Sequence, residues 1–181
     1  YGWLPKTEGL TGTDKQFDDK LTSGLAWDLA FHHYIKNFGW GIFYSGYSSD
    51  SYYEKTNMDH NVLLSYIAPL FCTKYSFNKK WMINGEVGVG YLKFSDKISS
   101  GIEKGKTYVS TVGFNYGIGI EYKLNKHMGI GISFNEIVGS AFLKNIKMEN
   151  VHSIIAYNDY DRINLNRLNL LGGIRFYFGD R

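Results

Sequence analysis

The sequence predicts an all-β fold: an eight-stranded antiparallel up-and-down β-barrel in which seven full strands are visible and the first is truncated. Three observations predict it. Apolar residues alternate with small or polar ones at a period of two, over stretches well beyond the roughly 5 or 6 residues of an ordinary strand. The connections between these stretches are short and long in turn. The composition is strand-forming, with 15 Tyr, 12 Phe and 21 Gly against 2 Pro in 181 residues. Aromatic rings suit a pleated surface, and glycine permits tight turns and close backbone approach.

In order along the chain, "YGWLP" at Tyr1–Pro5 reads as the upper tip of the first strand and Thr7–Asp19 as the first outer loop, so both fall within residues 1–20. Leu21–His33 sets Leu21, Leu25, Trp27, Leu29 and Phe31 against Thr22, Gly24, Ala26, Asp28 and Ala30. Phe38–Tyr47 sets Phe38, Trp40, Ile42 and Tyr44 against Gly39, Gly41, Phe43 and Ser45. Trp81–Phe94 alternates Trp81, Ile83, Val87, Val89 and Tyr91 with Asn84, Glu86, Gly88 and Gly90. Thr107–Tyr122 is the clearest segment: Tyr108, Ser110, Val112, Phe114, Tyr116, Ile118, Ile120 and Tyr122 on one face, Thr107, Val109, Thr111, Gly113, Asn115, Gly117, Gly119 and Glu121 on the other. Met128–Val138 and Ile163–Phe178 follow the same rule, the last placing Leu168, Leu170, Ile174, Phe176 and Phe178 opposite Arg167, Asn169, Gly173, Arg175 and Tyr177. Val62–Tyr75 alone is apolar on both parities. Pro69 there removes a hydrogen-bond donor, so a bulge is expected beside it, with Ile67, Phe71 and Tyr75 outward and Lys74 inward.

"IKNF" (Ile35–Phe38), "FNKK" (Phe77–Lys80) and "LNKH" (Leu124–His127) read as hairpin turns. Between them lie longer polar connections, Ser48–Asn61, Ser95–Lys106 and the stretch from Gly139 to Asp161. No apolar run approaches the roughly 20 residues of a spanning helix. The alternating segments do match the roughly 9 to 11 residues with which a tilted strand crosses a bilayer, and short turns at one end with long loops at the other is the layout of a membrane barrel. Barrels of this kind have an even strand number. The Leu21 strand runs into a short turn, so an ascending strand must precede it.

The whole chain, 1–181, reads as one such domain. A net charge of +3 with scattered lysines does not argue for nucleic acid, and the lone Cys72 cannot form an internal disulfide. Trp40, Trp81 and Tyr122 fall beside short turns and Phe176 and Phe178 stand at the end of the last strand, all on the outward phase, as an aromatic girdle would. The inward phase collects Asp28, Lys74, Glu86, Glu121, Arg167 and Arg175. An eight-stranded interior is just wide enough for side chains, so these are expected to form a charge and hydrogen-bond plug, with Glu121 and Arg175 meeting at equal depth.

The stretches "GEVGVGYLKF", "NYGIGIEYKLNKHMGIGISF" and "LNLLGGIRFYF" resemble, over essentially the whole chain, the small outer-membrane β-barrels of the OmpA-transmembrane and OmpX kind, particularly those of Bacteroidetes. The resemblance implies a bacterial outer-membrane location, contact with outer-membrane lipid and lipopolysaccharide, and assembly by the barrel-insertion machinery. In such proteins the last strand carries the signal read by that machinery. Gly173, Phe176 and Phe178 match its pattern, whereas Leu171 stands where a polar residue is usual and Gly179–Arg181 follow the closing aromatic.

Residues suited to catalysis or metal binding do not assemble into a motif. His32 and His33 are adjacent on a strand and face opposite ways. His60 and His152 fall in expected loops near Ser65, Ser153, Asp59 and Glu149 without a telling spacing, and Asp18–Asp19, Asp50 and Glu54 lack a calcium-loop pattern. The glycine-rich stretches belong to strands and do not cradle phosphate. No enzymatic activity, cofactor or metal is therefore expected. The role expected is that of a surface or anchor protein, or an accessory subunit of a larger outer-membrane complex. It would act through its lipid-facing wall or its outer loops, where Tyr52, Tyr53, Tyr157 and Tyr160 offer rigid amphipathic contact area. The alternatives are a soluble lipocalin-like barrel binding a small apolar ligand, which needs the two faces reversed, and a lipid-modifying outer-membrane enzyme.

Overall fold

The computed structural model describes residues 2–3, 23–53, 57–100, 103–142, 147–149 and 162–178. These form an antiparallel up-and-down sheet with no helix. Its strands are β1 (Gly2–Trp3), β2 (Ser23–Ile35), β3 (Phe38–Tyr53), β4 (Met58–Ser76), β5 (Trp81–Ser100), β6 (Glu103–Lys123), β7 (Met128–Phe142), β8 (Lys147–Glu149), β9 (Arg162–Asn164) and β10 (Arg167–Phe176). From β2 to β7 each strand pairs with the next, and β10 returns to lie beside β7. Among the described residues no ladder joins β2 to β10 directly. Gly2 and Trp3 pair with both, opposite Gly24 and Ser23 on one side and Asn169 and Leu168 on the other. Below that dipeptide the edges of β2 and β10 are unjoined, so continuous ladders do not close the sheet.

The alternation read from the sequence assigns the faces throughout. Residues 28, 30, 32 and 34 of β2, the odd residues of β3, β6, β7 and β10, and the even residues of β4 and β5 share the inner face, because each ladder keeps one register along its length. Pro69 does not introduce a bulge. Ile67 opposes Tyr91 and Leu70 opposes Gly88, so the same number of residues passes on each strand. Two ladder positions go unpaired, and the proline ring points outward. Gly90 makes this possible. A Cβ there would collide with the Ile67 carbonyl oxygen, so only glycine lets β5 approach β4 beside the proline.

Two expected outer loops are largely strand. Ser48–Asn61 continues as β3 and β4 with Tyr53 opposite Met58, and Ser95–Lys106 as β5 and β6 with Ser100 opposite Glu103. Strands above an apolar band can be polar on both faces, so no hydrophobic alternation marked them. The last strand is interrupted at Leu165–Asn166, yet β9 and β10 keep one register against β7. Tyr1, Leu4–Pro5, Thr7–Asp19, Asp18–Asp19, His152, Ser153, Tyr157, Tyr160 and Gly179–Arg181 lie outside the described residues.

The turns follow from their asparagines. Asn78 Oδ1 accepts the backbone N–H groups of Lys80 and Trp81 at 2.8 and 2.6 Å, and Asn125 Oδ1 those of His127 and Met128 at 2.8 and 2.9 Å. Each side chain replaces a backbone acceptor and reverses the chain. The first turn spends only Lys36 and Asn37 between Ile35 and Phe38. Lys36 takes φ 59°, at a position where two-residue hairpins favour glycine.

Candidate functional site

The inner face divides by height. Towards the short turns it is charged. Arg175 Nε lies 3.2 Å from Glu121 Oε2, one strand apart from it across β7. His32 Nε2 and Glu86 Oε2 are 3.0 Å apart, and the Lys74 ammonium sits 4.5 Å above the Tyr34 ring. At mid-height Asp28 is held by two donors, the Ser45 hydroxyl and Asn135 Nδ2, the latter at 2.6 Å. Arg167 Nη2 donates to the same Ser45 oxygen and its guanidinium lies over the Tyr47 ring, while Asn169 Nδ2 donates to Asn135 Oδ1 at 2.8 Å. Tyr66, fully buried, donates to Asn115 Oδ1 at 3.0 Å. Above this level Leu64, Leu92, Val109, Ile137 and Leu165 pack, together with Phe43 just below it, into one apolar cluster, and higher still the inner face is polar again at Ser49, Ser51, His60 and Asp96.

The interior thus carries an apolar layer between polar ones, where the sequence reading expected a charge and hydrogen-bond plug alone. All six anticipated charged residues face inward. Glu121 and Arg175 meet, Asp28 and Arg167 are bridged by Ser45, and Glu86 finds His32 in place of a lysine or arginine. Ser45, Asn115, Asn135 and Asn169 were missed as partners. Each stands on the small, inward parity of its strand, and that parity was the available signal. The apolar upper layer was missed because Leu64, Leu92 and Ile137 fall where both faces of their strands carry apolar residues.

The outer face is a continuous apolar surface. Exposed large apolar side chains outnumber those in the core and run from Leu25 to Phe178. At the short-turn end Trp81 and Tyr122 rings are 5.0 Å apart, Phe31 lies 6.3 Å from Trp40 and Phe38 stacks on Phe71 at 6.0 Å. Phe176 and Phe178 complete this level, 61% and 90% exposed. Within the band, one acid among the described residues interrupts the surface. Glu136 faces outward and accepts a hydrogen bond from the Tyr116 hydroxyl across the β6–β7 ladder.

Higher on this wall, the β6–β7 ladder ends at Gly113 opposite Gly139. Beyond that pair β6 turns to β8 and β7 to β9, and the Thr111 hydroxyl donates to the Ser140 carbonyl at 2.8 Å. The parting leaves an outward cleft of about 580 Å³ lined by Val89, Val112, Phe114, Val138 and Ile163 among others.

Among the described residues the histidines do not form a catalytic arrangement of the kind considered from the sequence. His60 Nδ1 contacts Asp96 Oδ2 at 2.9 Å on the inner face, whereas Ser65 and Asp59 occupy the opposite parity. His32 and His33 face opposite ways. Among the described residues no three His, Cys, Asp or Glu side chains are grouped to hold a metal ion. Tyr52, next to last in β3, donates its hydroxyl to Asn57, and Tyr53 is the last residue of that strand. Compared with known proteins, the chain matches no family model, no curated protein and no solved structure.

Proposed function

We propose that the chain is a non-enzymatic integral β-barrel of the bacterial outer membrane, eight-stranded and of the small OmpA- and OmpX-like kind. Its interior is plugged, and it works through its upper extensions or lipid-facing wall as a surface or anchor protein or as an accessory subunit of a larger assembly. The observation that carries this reading is the outward apolar band. From Trp81 to Tyr91 the outer residues of β5 span about 33 Å along the strand at about 3.3 Å per residue. A tilt of about 40° projects that to about 25 Å, the height of the apolar band in outer-membrane barrels. Soluble proteins do not expose so large a contiguous apolar surface.

The inward placement of Asp28, Glu86, Glu121 and Arg175 supports the same reading. A soluble lipocalin-like binder would need them outside and the leucines, isoleucines and tyrosines inside. Extraction separates the two. A membrane barrel requires detergent and migrates differently on gels before and after boiling; protein that is monodisperse in plain buffer overturns the proposal. Co-purification in mild detergent followed by mass spectrometry then tells a lone barrel from a subunit.

A further inference from the structure

Glu136 stands in the apolar wall of the molecule. Its row along the ladders reads Leu168, Glu136, Tyr116 and Val87 from β10 to β5, and its outward neighbours on β7 are Phe134 and Val138. Every side chain bordering it on this face is therefore apolar or aromatic. Val87 lies below Tyr91 on β5 by about 13 Å at about 3.3 Å per residue, so the row is inside the band and not at its edge. Charged side chains in membrane-spanning segments almost always face protein or water, and an outward one is unfavourable against lipid. Tyr116 donates to Oε2 of Glu136, and among the described residues no donor reaches Oε1 and no cation lies within ion-pair distance. A carboxylate accepts more than one such bond, so this one has capacity that the described residues leave unused.

The surface just above can receive a side chain. The cleft where β6 and β7 part begins at Phe114 and Val138, the next outward pair above Tyr116 and Glu136, and holds about 580 Å³. From Glu136 to Val138 is about 7 Å along the strand, close to one turn of an α-helix at about 5.4 Å. A second copy of this chain does not supply the missing cation. Copies inserted in one orientation share a depth scale, and among the described side chains the outward basic residues of the strands are His33 beside a short turn and Lys93, Lys97, Lys104 and Lys106 above the band.

We infer that this stretch of wall docks a different membrane protein, one whose apolar surface carries a lysine or arginine. The cation meets Glu136, and an apolar side chain about one turn away enters the cleft at Phe114 and Val138. Pairing takes a lone carboxylate out of lipid on this chain and a lone cation out of lipid on the other, so each charge is better placed in the complex than alone. The inference rests on the membrane reading above and locates the contact that an accessory subunit would make.

The test uses the full chain in phosphatidylcholine vesicles with two membrane-spanning host peptides of leucine and alanine, one carrying arginine at the depth of Glu136 and one carrying leucine there. Each peptide bears a dansyl group, and binding is read by energy transfer from the protein's tryptophans. Wild type should bind the arginine peptide roughly five- to thirtyfold more tightly than the leucine peptide, as one polar contact within a membrane gives. Glu136→Gln should remove that preference and leave the leucine peptide unaffected. Val112→Trp, which fills the cleft, should weaken both peptides alike, whereas Phe71→Trp on another part of the wall should weaken neither. Exchanging phosphatidylcholine for phosphatidylethanolamine should leave the preference in place; its loss would assign Glu136 to lipid amines and overturn the inference. Equal affinity of the two peptides overturns it as well, as does an unchanged Glu136→Gln or Val112→Trp variant. The boiling-dependent gel shift, checked for each variant, separates these outcomes from misfolding. If wild type fails to enter vesicles, the membrane reading fails and this inference with it; if it enters without distinguishing the peptides, only the docking site does.

Discussion

Replacing Arg175 by methionine removes one half of the ion pair nearest the short turns and leaves its shape largely in place. Glu121 is 3% exposed, so its carboxylate cannot turn to water. At 3.2 Å the gross attraction is roughly 5 kcal/mol at an effective dielectric of about 20. Desolvation of both groups takes back much of that, and breaking a buried pair from one side costs about 3 to 5 kcal/mol. The Arg175 side chain is 26% exposed, which places the loss at the low end, about 3 kcal/mol. Glu121→Gln alone should cost about 2 kcal/mol, and the double variant less than the sum by about 2 kcal/mol, because neither partner is then stranded. Urea unfolding in lipid vesicles, followed by tryptophan fluorescence, gives all four stabilities. Additivity of the two single changes to within about 0.5 kcal/mol would refute the pairing as an energetic unit.

Other consequences can be checked with the same unfolding assay. Ile118→Lys, on the outer face at mid-band, should cost about 2 to 4 kcal/mol in a bilayer, whereas lysine at Ser99, above the band, should cost almost nothing. Lys36→Gly should stabilise the protein by about 1 kcal/mol, since it relieves a left-handed backbone at a non-glycine residue. Asn125→Ala strands two turn N–H groups and should lower stability by about 1 kcal/mol, with Asn125→Asp retaining most of it. Gly90→Val should abolish the boiling-dependent gel shift, because the added Cβ collides with the Ile67 carbonyl and β5 cannot settle against β4; a normally folded variant would contradict the close approach at Pro69.

Much of the candidate site is legible in the sequence. Asp28, Glu86, Glu121 and Arg175 can be placed inside because every neighbour two residues away shares their face, and a one-residue slip would turn the whole apolar set inward. The Glu121–Arg175 contact is legible as well, since Glu121 sits about three residues from a short turn and Arg175 about three from the end of the last alternating segment, at the same level. The Asp28–Ser45–Arg167 bridge is not. It depends on the stagger accumulated between β2, β3 and β10, which no single strand encodes. His32 as the partner of Glu86 is hidden for the same reason: the two meet across the interior, from strands that are not neighbours.

The sequence by itself determined which way side chains point, because the pleat imposes a period of two on any strand, and it determined where the chain reverses, because short polar runs separate the alternating segments and asparagine side chains cap two of the turns. Only the tertiary structure decided which inward residues meet, how far the polar strands extend past the band, and that no bulge accompanies Pro69. It also decided that Lys97 and Lys106 stand side by side on adjacent strands. Pairing across strands depends on summed register and on where ladders end, and on polar strands outside the apolar band there is no hydrophobic alternation from which to read either.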